Sequence, residues 1–165
     1  MLIKFRFALL FIFSLVLRIS SAQKTWIPSG IPKKKVKEVD SLYPTAQQES
    51  WGLYNDVTPK TFYQVTFTFS KQDYIIVYDT NCVRTYTRIH IPDSLFSPTI
   101  SQYIKQNYSQ YLISEKQRST DLNGVQTIRV ALYSKKGDKC LVLFFDLSGK
   151  FIKEGACDPA LQFSN

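Results

Sequence analysis

The stretch IPDSLFSPTISQYIKQNYSQYLI, residues 91–113, carries the main signal for the fold of this chain. It echoes an earlier stretch, IPKKKVKEVDSLYPTAQQESW, which begins sixty residues before it at Ile31. Each stretch opens with Ile-Pro and continues with apolar residues at helical spacing. The pattern predicts two related units, each of which begins with a short amphipathic helix.

The limits of both helices are marked by prolines. In the first unit, Val36 and Val39 lie on one helical face, and the helix should end before Pro44, because a residue that precedes proline disfavours helical geometry. In the second unit, Ser97 is a suitable N-cap and Pro98 a suitable first-turn residue. We therefore predict one short helix at the start of each unit.

Behind each helix the apolar period changes from 3.6 to 2, which indicates strands. The second strand shows this best, since Val65 and Phe67 alternate with polar residues. The predicted strands are AQQESWGLY, TFYQVTFTF, YIIVYD and VRTYTRI, then YLISEKQRS, QTIRVALY, KCLVLFFD and FIKEG. Asn123-Gly124 marks a hairpin between the first two strands of the second unit. The predicted fold is α+β, a tandem repeat of a helix plus a four-stranded antiparallel sheet, with the helices packed on one sheet face.

The first 22 residues are organised like a secretory signal peptide. Lys4 and Arg6 precede the apolar run FALLFIFSLVL, and small residues follow it up to Ala22. This run is too short to span a bilayer, which takes about 20 residues, so we expect a secreted or periplasmic protein without a transmembrane segment after cleavage. The predicted segments are a signal peptide at 1–22, a linker at 23–30, a first repeat at 31–90, a second repeat at 91–157 and a C-terminal tail at 158–165.

The charge of the predicted mature chain is modest. Cleavage would remove three basic residues and no acidic ones, which leaves 18 basic and 13 acidic residues, a net charge of +5. Nucleic-acid-binding domains are usually more basic than this. One basic run, KKKVK at 33–37, would lie on a solvated face of the first helix. We therefore expect no nucleic-acid partner.

The order of the motifs carries a family resemblance. Helices that end in LYP or NYS, a strand that contains Trp51, the segment YQVTF, an Asp-x-x-Gly turn and a second helix with YIKQNY follow one another. This order, over residues 31–154, resembles the PepSY-like, beta-lactamase-inhibitor-like family of secreted bacterial proteins. The resemblance implies a tandem repeat with helices on one side of the sheet, an open second face and no established catalysis. One departure is Cys82, which stands where the matching turn has Gly149.

The sequence contains no recognisable catalytic or metal-binding pattern. His90 is the only histidine, and no acid or nucleophile stands at a characteristic spacing from it. The three cysteines form no C-x-x-C pair, and there is neither a glycine-rich phosphate loop nor a G-x-S-x-G motif. We therefore predict no catalytic residue, no metal site and no cofactor, and a protein that is not an enzyme.

Three cysteines in an exported chain suggest one disulfide and one free thiol. If residues 148–149 form a two-residue hairpin turn, counting outward along both strands places Cys140 opposite Cys157 in a non-hydrogen-bonded pair, where side chains lie closest. A bulged turn would shift this register by one residue. The sequence predicts a Cys140–Cys157 bridge, and the alternative is a bridge that includes Cys82.

The sheet face away from the helices is the candidate binding surface. Alternation in VRTYTRIH, QTIRVALY and KCLVLFF directs arginine, tyrosine and apolar side chains to it. Apolar residues rimmed by Arg and Tyr have the composition of an interface centre. The predicted partner-binding residues are Arg84, Tyr86, Arg88, Arg129, Tyr133, Val142 and Phe144. Alternatively, a second layer, a terminal segment or a dimer mate covers them.

Two function classes follow from these observations. The first is an exported non-enzymatic binding module that inhibits or regulates another exported protein through its open sheet face. The second is an envelope-associated structural protein that binds glycan or an anionic surface polymer through basic and aromatic residues. Salt dependence separates them, because screening weakens binding between exposed charges more than burial of apolar surface.

Overall fold

The structure is a computed structural model that describes residues 27–55, 61–136 and 139–157. This part of the chain forms helix α1 (Lys33–Leu42) and helix α2 (Pro98–Asn107), with a 3₁₀ turn at Asp93–Leu95 before α2. The strands are β1 (Gln47–Asn55), β2 (Thr61–Phe69), β3 (Gln72–Tyr78), β4 (Arg84–His90), β5 (Tyr111–Asp121), β6 (Gln126–Ser134), β7 (Cys140–Phe145) and β8 (Phe151–Ala156).

The individual elements lie where the sequence pattern places them. α1 ends at Leu42, two residues before Pro44, and Ser97 occupies the N-cap position of α2, although its side chain makes no capping hydrogen bond. The predicted signal peptide at 1–22 and the predicted tail at 158–165 lie outside the described residues. Within the described ranges, neither helix is long and apolar enough to cross a membrane.

All eight strands belong to one antiparallel sheet, in the order β1 to β8. β4 and β5 are joined by a ladder in which Tyr86 lies opposite Asp121 and His90 lies opposite Gln117. The prediction of a tandem repeat with a four-stranded sheet in each unit is therefore wrong. In two separate sheets, β4 and β5 would each expose a row of unpaired N–H and C=O groups, and this ladder pairs those groups.

Both helices pack on the same face of the sheet, each over its own apolar cluster. The cluster under α1 consists of Ile31, Val39, Trp51, Val65, Phe67, Ile76 and Tyr78. The cluster under α2 consists of Ile100, Ile104, Val130, Leu132, Leu141, Leu143 and Phe145. Burial of one such Val, Leu, Ile or Phe side chain contributes about 1.5–3 kcal/mol, and these contacts hold the helices against the sheet.

Cross-strand pairing shows that the two clusters share a face. Tyr74, which packs against the first cluster, lies opposite Ile89, and Ile89 lies opposite Arg118. Arg118 in turn lies opposite Ile128, which packs against the second cluster. Residues directly opposite each other point to the same side of a sheet, so the sheet has one helix-covered face and one face without helices.

In the part of the chain that the structure describes, three hairpins close with the same five-residue turn, at Asp79–Val83, Asp121–Val125 and Asp146–Lys150. In each, the aspartate N–H donates to the carbonyl oxygen of the fifth residue at 2.9–3.1 Å. The aspartate Oδ1 accepts the N–H groups of the third and fifth residues at 2.8–2.9 Å. The fourth residue has a positive φ, which is 61° at Cys82, 80° at Gly124 and 91° at Gly149. Cys82 thus adopts the glycine conformation despite its side chain.

The turn before β8 differs from the predicted two-residue turn, yet Cys140 still lies opposite Cys157. The turn spans Asp146–Lys150, so Phe145 lies opposite Phe151, one step away from the expected register. A bulge between Phe144 and Phe145 then shifts the register back. The structure joins Cys140 to Cys157 in a disulfide with a Cα–Cα distance of 5.6 Å, and Cys82 carries a free thiol.

Replacement of Cys82 by glycine should stabilise the protein. A non-glycine residue at positive φ costs about 1 kcal/mol, so Cys82→Gly should raise the free energy of unfolding by up to about 1 kcal/mol. Gly124→Ala is the matched reverse change, because a Cβ at Gly124 meets no atom within 4 Å and tests backbone strain alone; it should lower the free energy of unfolding by about 1 kcal/mol. Urea denaturation measures both, and a destabilised Cys82→Gly variant would contradict the assigned turn.

Loss of the disulfide should cost more than any single turn substitution. The bridge links residues 17 positions apart, and a loop of that length corresponds to about 3 kcal/mol. We expect the Cys140→Ser/Cys157→Ser variant to lose about this much unfolding free energy, whereas Cys82→Ser should change it by less than about 0.5 kcal/mol. A peptide map of the unreduced protein provides a direct check, since any linked peptide that contains Cys82 would exclude the assigned pairing.

Candidate functional site

The candidate site lies on the sheet face without helices, here called the distal face. Arg129 connects its strands, because it lies opposite Gln117 of β5 and Phe144 of β7. The residues of the distal face that form the site are Tyr86, Arg88, Glu115, Gln117, Arg129, Ala131, Tyr133, Val142, Phe144, Lys153 and Gly155. This face therefore contains six of the seven residues predicted as a partner-binding surface.

Arg84 is the seventh predicted residue, and it lies on the other side of the sheet. The register shifts where β3 meets the start of β4, so Arg84 pairs with Tyr78, a core residue of the helix-covered face. Burial raises the pKa of Tyr43, and the Arg84 guanidinium partly offsets this rise, which places its charge near that side of the sheet. Strict alternation from Tyr86 fails because the irregularity changes the side to which Arg84 points.

A polar network joins β5 and β6 on the distal face. Arg129 Nη1 donates a hydrogen bond to Gln117 Oε1 at 3.1 Å and lies 3.8 Å from Glu115 Oε2. Gln117 Nε2 donates to the same Glu115 carboxylate at 3.2 Å. Arg129 exposes only 2% of its surface. A buried guanidinium is tolerated when a carboxylate and hydrogen bonds compensate its lost hydration, and this network supplies both.

Two further side chains of the distal face are held by aromatic contacts. The guanidinium carbon of Arg88 lies 4.1 Å from the centre of the Tyr86 ring, a cation–π contact along one strand. The Phe144 ring is held in a similar way, because Lys153 Nζ lies 5.2 Å from its centre. A Cβ on Gly155 would lie 3.2 Å from Phe144 Cε2, so the ring rests directly on the backbone of β8.

The predicted surface is divided into a buried floor and a half-buried rim. Val142, which the sequence pattern places in an exposed apolar patch, exposes only 1% of its surface and packs with Ala131. Arg88 and Arg129 are also buried. The rim consists of Tyr86, Tyr133 and Phe144. The floor consists of the buried residues Val142, Arg88 and Arg129, which hold neighbouring strands together, and the rim presents aromatic side chains to solvent.

Gln117 and Glu115 belong to the site but cannot be identified by inspection of the sequence. Their signal is the register of the β5–β6 hairpin, which brings Gln117 opposite Arg129. A two-residue turn at Asn123-Gly124 would shift that register by one position, whereas the observed turn spans Asp121–Val125. The choice of turn therefore determines which residue meets Arg129.

His90, the single histidine, is exposed at the end of β4. In the ranges 27–55, 61–136 and 139–157, no group of three or more His, Cys, Asp and Glu side chains could hold a metal ion. The chemistry visible on the distal face is thus that of hydrogen bonding and aromatic contact.

Comparisons with known proteins find similar structures and no similar sequences. No family model matches the chain, and no curated protein is significantly similar to it. A DUF2874 family protein from Bacteroides uniformis matches with a TM-score of 0.58 at 14% identity, over 76% of this chain and 89% of its own. A BLIP-like protein from Bacteroides fragilis matches with a TM-score of 0.56 at 15% identity, over 79% and 88%. A candidate periplasmic protein from Bacteroides eggerthii matches with a TM-score of 0.58 at 10% identity, over 76% and 88%.

At these identities the likeness concerns the fold alone. It supports a BLIP-like fold for this chain, whereas the PepSY-like assignment is not confirmed. The structural neighbour from Bacteroides eggerthii is described as periplasmic, and an extracytoplasmic location of this chain is compatible with that likeness.

Truncation of Arg129 should destabilise the protein strongly. Arg129→Ala would remove a guanidinium that lies 3.8 Å from the mostly buried Glu115 carboxylate and accounts for part of its charge compensation, and we expect a loss of about 2–3 kcal/mol in unfolding free energy. Arg118→Ala is the matched control, since Arg118 lies on the neighbouring strand and is exposed; it should change that energy by less than about 0.5 kcal/mol. Equal losses in chemical denaturation would show that the Arg129 network contributes nothing specific.

Proposed function

We propose that this chain is an exported, non-enzymatic binding module that holds another exported protein against its distal face. The fold that it shares with a BLIP-like protein and a candidate periplasmic protein supports a binding role outside the cytoplasm. The helices cover one sheet face, so the distal face is the broad surface on which a partner can dock. In this role the chain would inhibit or regulate its partner by covering the partner surface that contacts the distal face.

One observation carries the proposal: two of the three rim side chains of the distal face, Tyr86 and Phe144, are held in place by neighbouring residues of this chain. Tyr86 is held by Arg88, and Phe144 is held between Gly155 and Lys153. Immobilising a flexible side chain on binding costs about 0.5–1.5 kcal/mol. Side chains that are already held avoid much of this cost, which favours tight association.

The composition and extent of the rim also suit a protein partner. Tyrosine, which supplies two of the three rim side chains, is enriched among the residues that dominate binding energy at protein interfaces. Tyr86 on β4 and Phe144 on β7 are three strand spacings apart across the sheet and about four residues apart along the strands, which together separate them by about 20 Å. A typical interface buries about 800 Å² on each partner, so two anchors at this distance would lie well within one interface.

A second candidate function is attachment to glycan or to an anionic surface polymer, by an envelope-associated structural protein. The observation that favours it is the exposed basic side of α1, where Lys33, Lys34 and Lys37 reach solvent. Attraction between such exposed charges and a polyanion weakens as salt is added. Retention on polysaccharide that disappears at high salt would favour this second function, whereas salt-resistant capture of one protein favours the first.

The double variant Tyr86→Ala/Phe144→Ala tests the proposed function. We expect it to remain folded, because both side chains are half-buried, and to bind the captured partner at least a hundredfold more weakly, as expected when two anchors are lost. The measurement is a pull-down from the envelope fraction of the source organism, followed by calorimetry with the purified partner.

The control for this experiment is Leu42→Ala/Leu147→Ala, because Leu42 lies on α1 and Leu147 lies in the turn before β8. These side chains are more than half exposed, and they lie outside the aromatic rim. This control should bind like the unmodified protein. Undiminished capture by a folded Tyr86→Ala/Phe144→Ala variant would rule out the distal face as the binding surface.

A further inference from the structure

The helix-covered face contains a second feature, a polar strip between the two helices. Here β4 and β5 present threonine, arginine and lysine where the neighbouring strands present core residues. We call this strip the furrow, and it consists of Arg84, Thr87 and Ile89 of β4 and Lys116, Arg118 and Thr120 of β5. It separates the apolar cluster under α1 from the cluster under α2.

The width of the furrow follows from the positions of the helices. α1 packs over Val65 and Ile76 of β2 and β3, and α2 packs over Val130 and Leu143 of β6 and β7. The centres of these strand pairs are four strand spacings apart, about 19 Å. Since a helix with its side chains is about 10 Å wide, a gap of roughly 9 Å remains, enough for one extended polypeptide chain.

The furrow is closed at one end. The segment that leads from β4 to α2 covers this end, because Ile91 N–H donates to the Lys116 carbonyl oxygen at 2.8 Å. The Lys116 ammonium pairs with Asp93 and lies 5.3 Å from the centre of the Phe96 ring. The charge of Lys116 is thus already compensated, and the other end of the furrow, at Arg84, is not covered by this segment.

Two arginines along the furrow have no such compensation. Arg84 and Arg118 are exposed, and neither forms an ion pair with an acidic side chain in the part of the chain that the structure describes. Arg84 on β4 lies opposite Tyr78 of β3. Arg118 on β5 lies opposite Ile89, which lies opposite Tyr74 of β3. The two arginines are therefore one strand spacing apart across the sheet and four residues apart along it. Strand geometry sets their Cα atoms about 14 Å apart.

This separation matches the repeat of an extended chain. Four residues of a β-strand span about 13 Å, and residues four apart point to the same side. A guanidinium binds a carboxylate through paired hydrogen bonds, which are stronger than hydrogen bonds between neutral groups. An extended segment with two acidic residues four positions apart could therefore place one carboxylate at each arginine, over the hydroxyl groups of Thr87 and Thr120.

We propose that the furrow binds an extended acidic polypeptide segment with carboxylates at positions i and i+4. Charge complementarity selects an anionic occupant, and the narrow gap between two helices selects a single extended chain over a flat lipid surface. Neither strand of the furrow presents an aromatic ring there, the platform on which sugar rings commonly stack, and this favours polypeptide over glycan. The furrow and the distal face lie on opposite sides of the sheet, so this site is independent of the proposed function.

Binding of two labelled peptides tests the proposal. Both are short Ser/Thr peptides with two glutamates, which lie four positions apart in one peptide and three positions apart in the other. Fluorescence anisotropy at low ionic strength should show at least fivefold tighter binding of the first peptide, because only there do both carboxylates face the arginines. Equal affinities, or no binding up to about 1 mM peptide, would overturn the proposal.

Substitutions then locate the site. Arg84→Gln/Arg118→Gln should weaken binding of the preferred peptide at least tenfold, and both residues are exposed, so this variant should fold. Lys34→Gln/Lys37→Gln removes the same charge from the exposed side of α1 and should change affinity less than twofold. If both variants lose binding equally, net charge and not the furrow attracts the peptide. If a carboxylated polysaccharide binds the furrow more tightly than the peptide, the occupant is a glycan and the proposal fails.

Discussion

The ladder between β4 and β5 is the interaction on which the rest of this structure depends. It pairs two strands that are separated in sequence by α2 and its leading turn, and it turns eight strands into one continuous sheet. Arg88 then lies opposite Ser119, and Gln117 stands between His90 and Arg129. Without this ladder the distal face would be two unrelated surfaces, since its polar network begins on β5 and its cation–π pair lies on β4.

The same ladder explains the contrast between the two sheet faces. On the helix-covered face each helix shields its own cluster, so β4 and β5 between them remain polar and carry Arg118. On the other face no helix intervenes, and the side chains of adjacent strands cover one another. Arg129 is buried there by its neighbours and requires Glu115 and Gln117 as compensation. One sheet thus presents two chemically different surfaces.

Turn chemistry sets the registers that these surfaces need. Within the described residues the aspartate-led turn occurs three times, and it fixes which residues meet across β3–β4, β5–β6 and β7–β8. At the last of these hairpins, the turn displaces the register and a bulge at Phe144 restores it, so Cys140 still meets Cys157. The count from the sequence and the structure give the same cysteine pair although they differ in the turn, because the shift at the turn and the shift at the bulge cancel.

The sequence by itself determined the elements. Pro44 ends the first helix, Ser97 and Pro98 begin the second, and the alternation around Val65 and Phe67 marks a strand, because these signals act over a few neighbouring residues. Only the tertiary structure decided that β4 pairs with β5, that Arg84 points to the helix side, and that Val142 and Arg129 are buried. Periodicity states which residues share a side of a strand. Hydrogen bonds between distant backbone segments decide which strand lies next to it. They also decide whether a bulge reverses the faces of a strand, and a local pattern does not encode them.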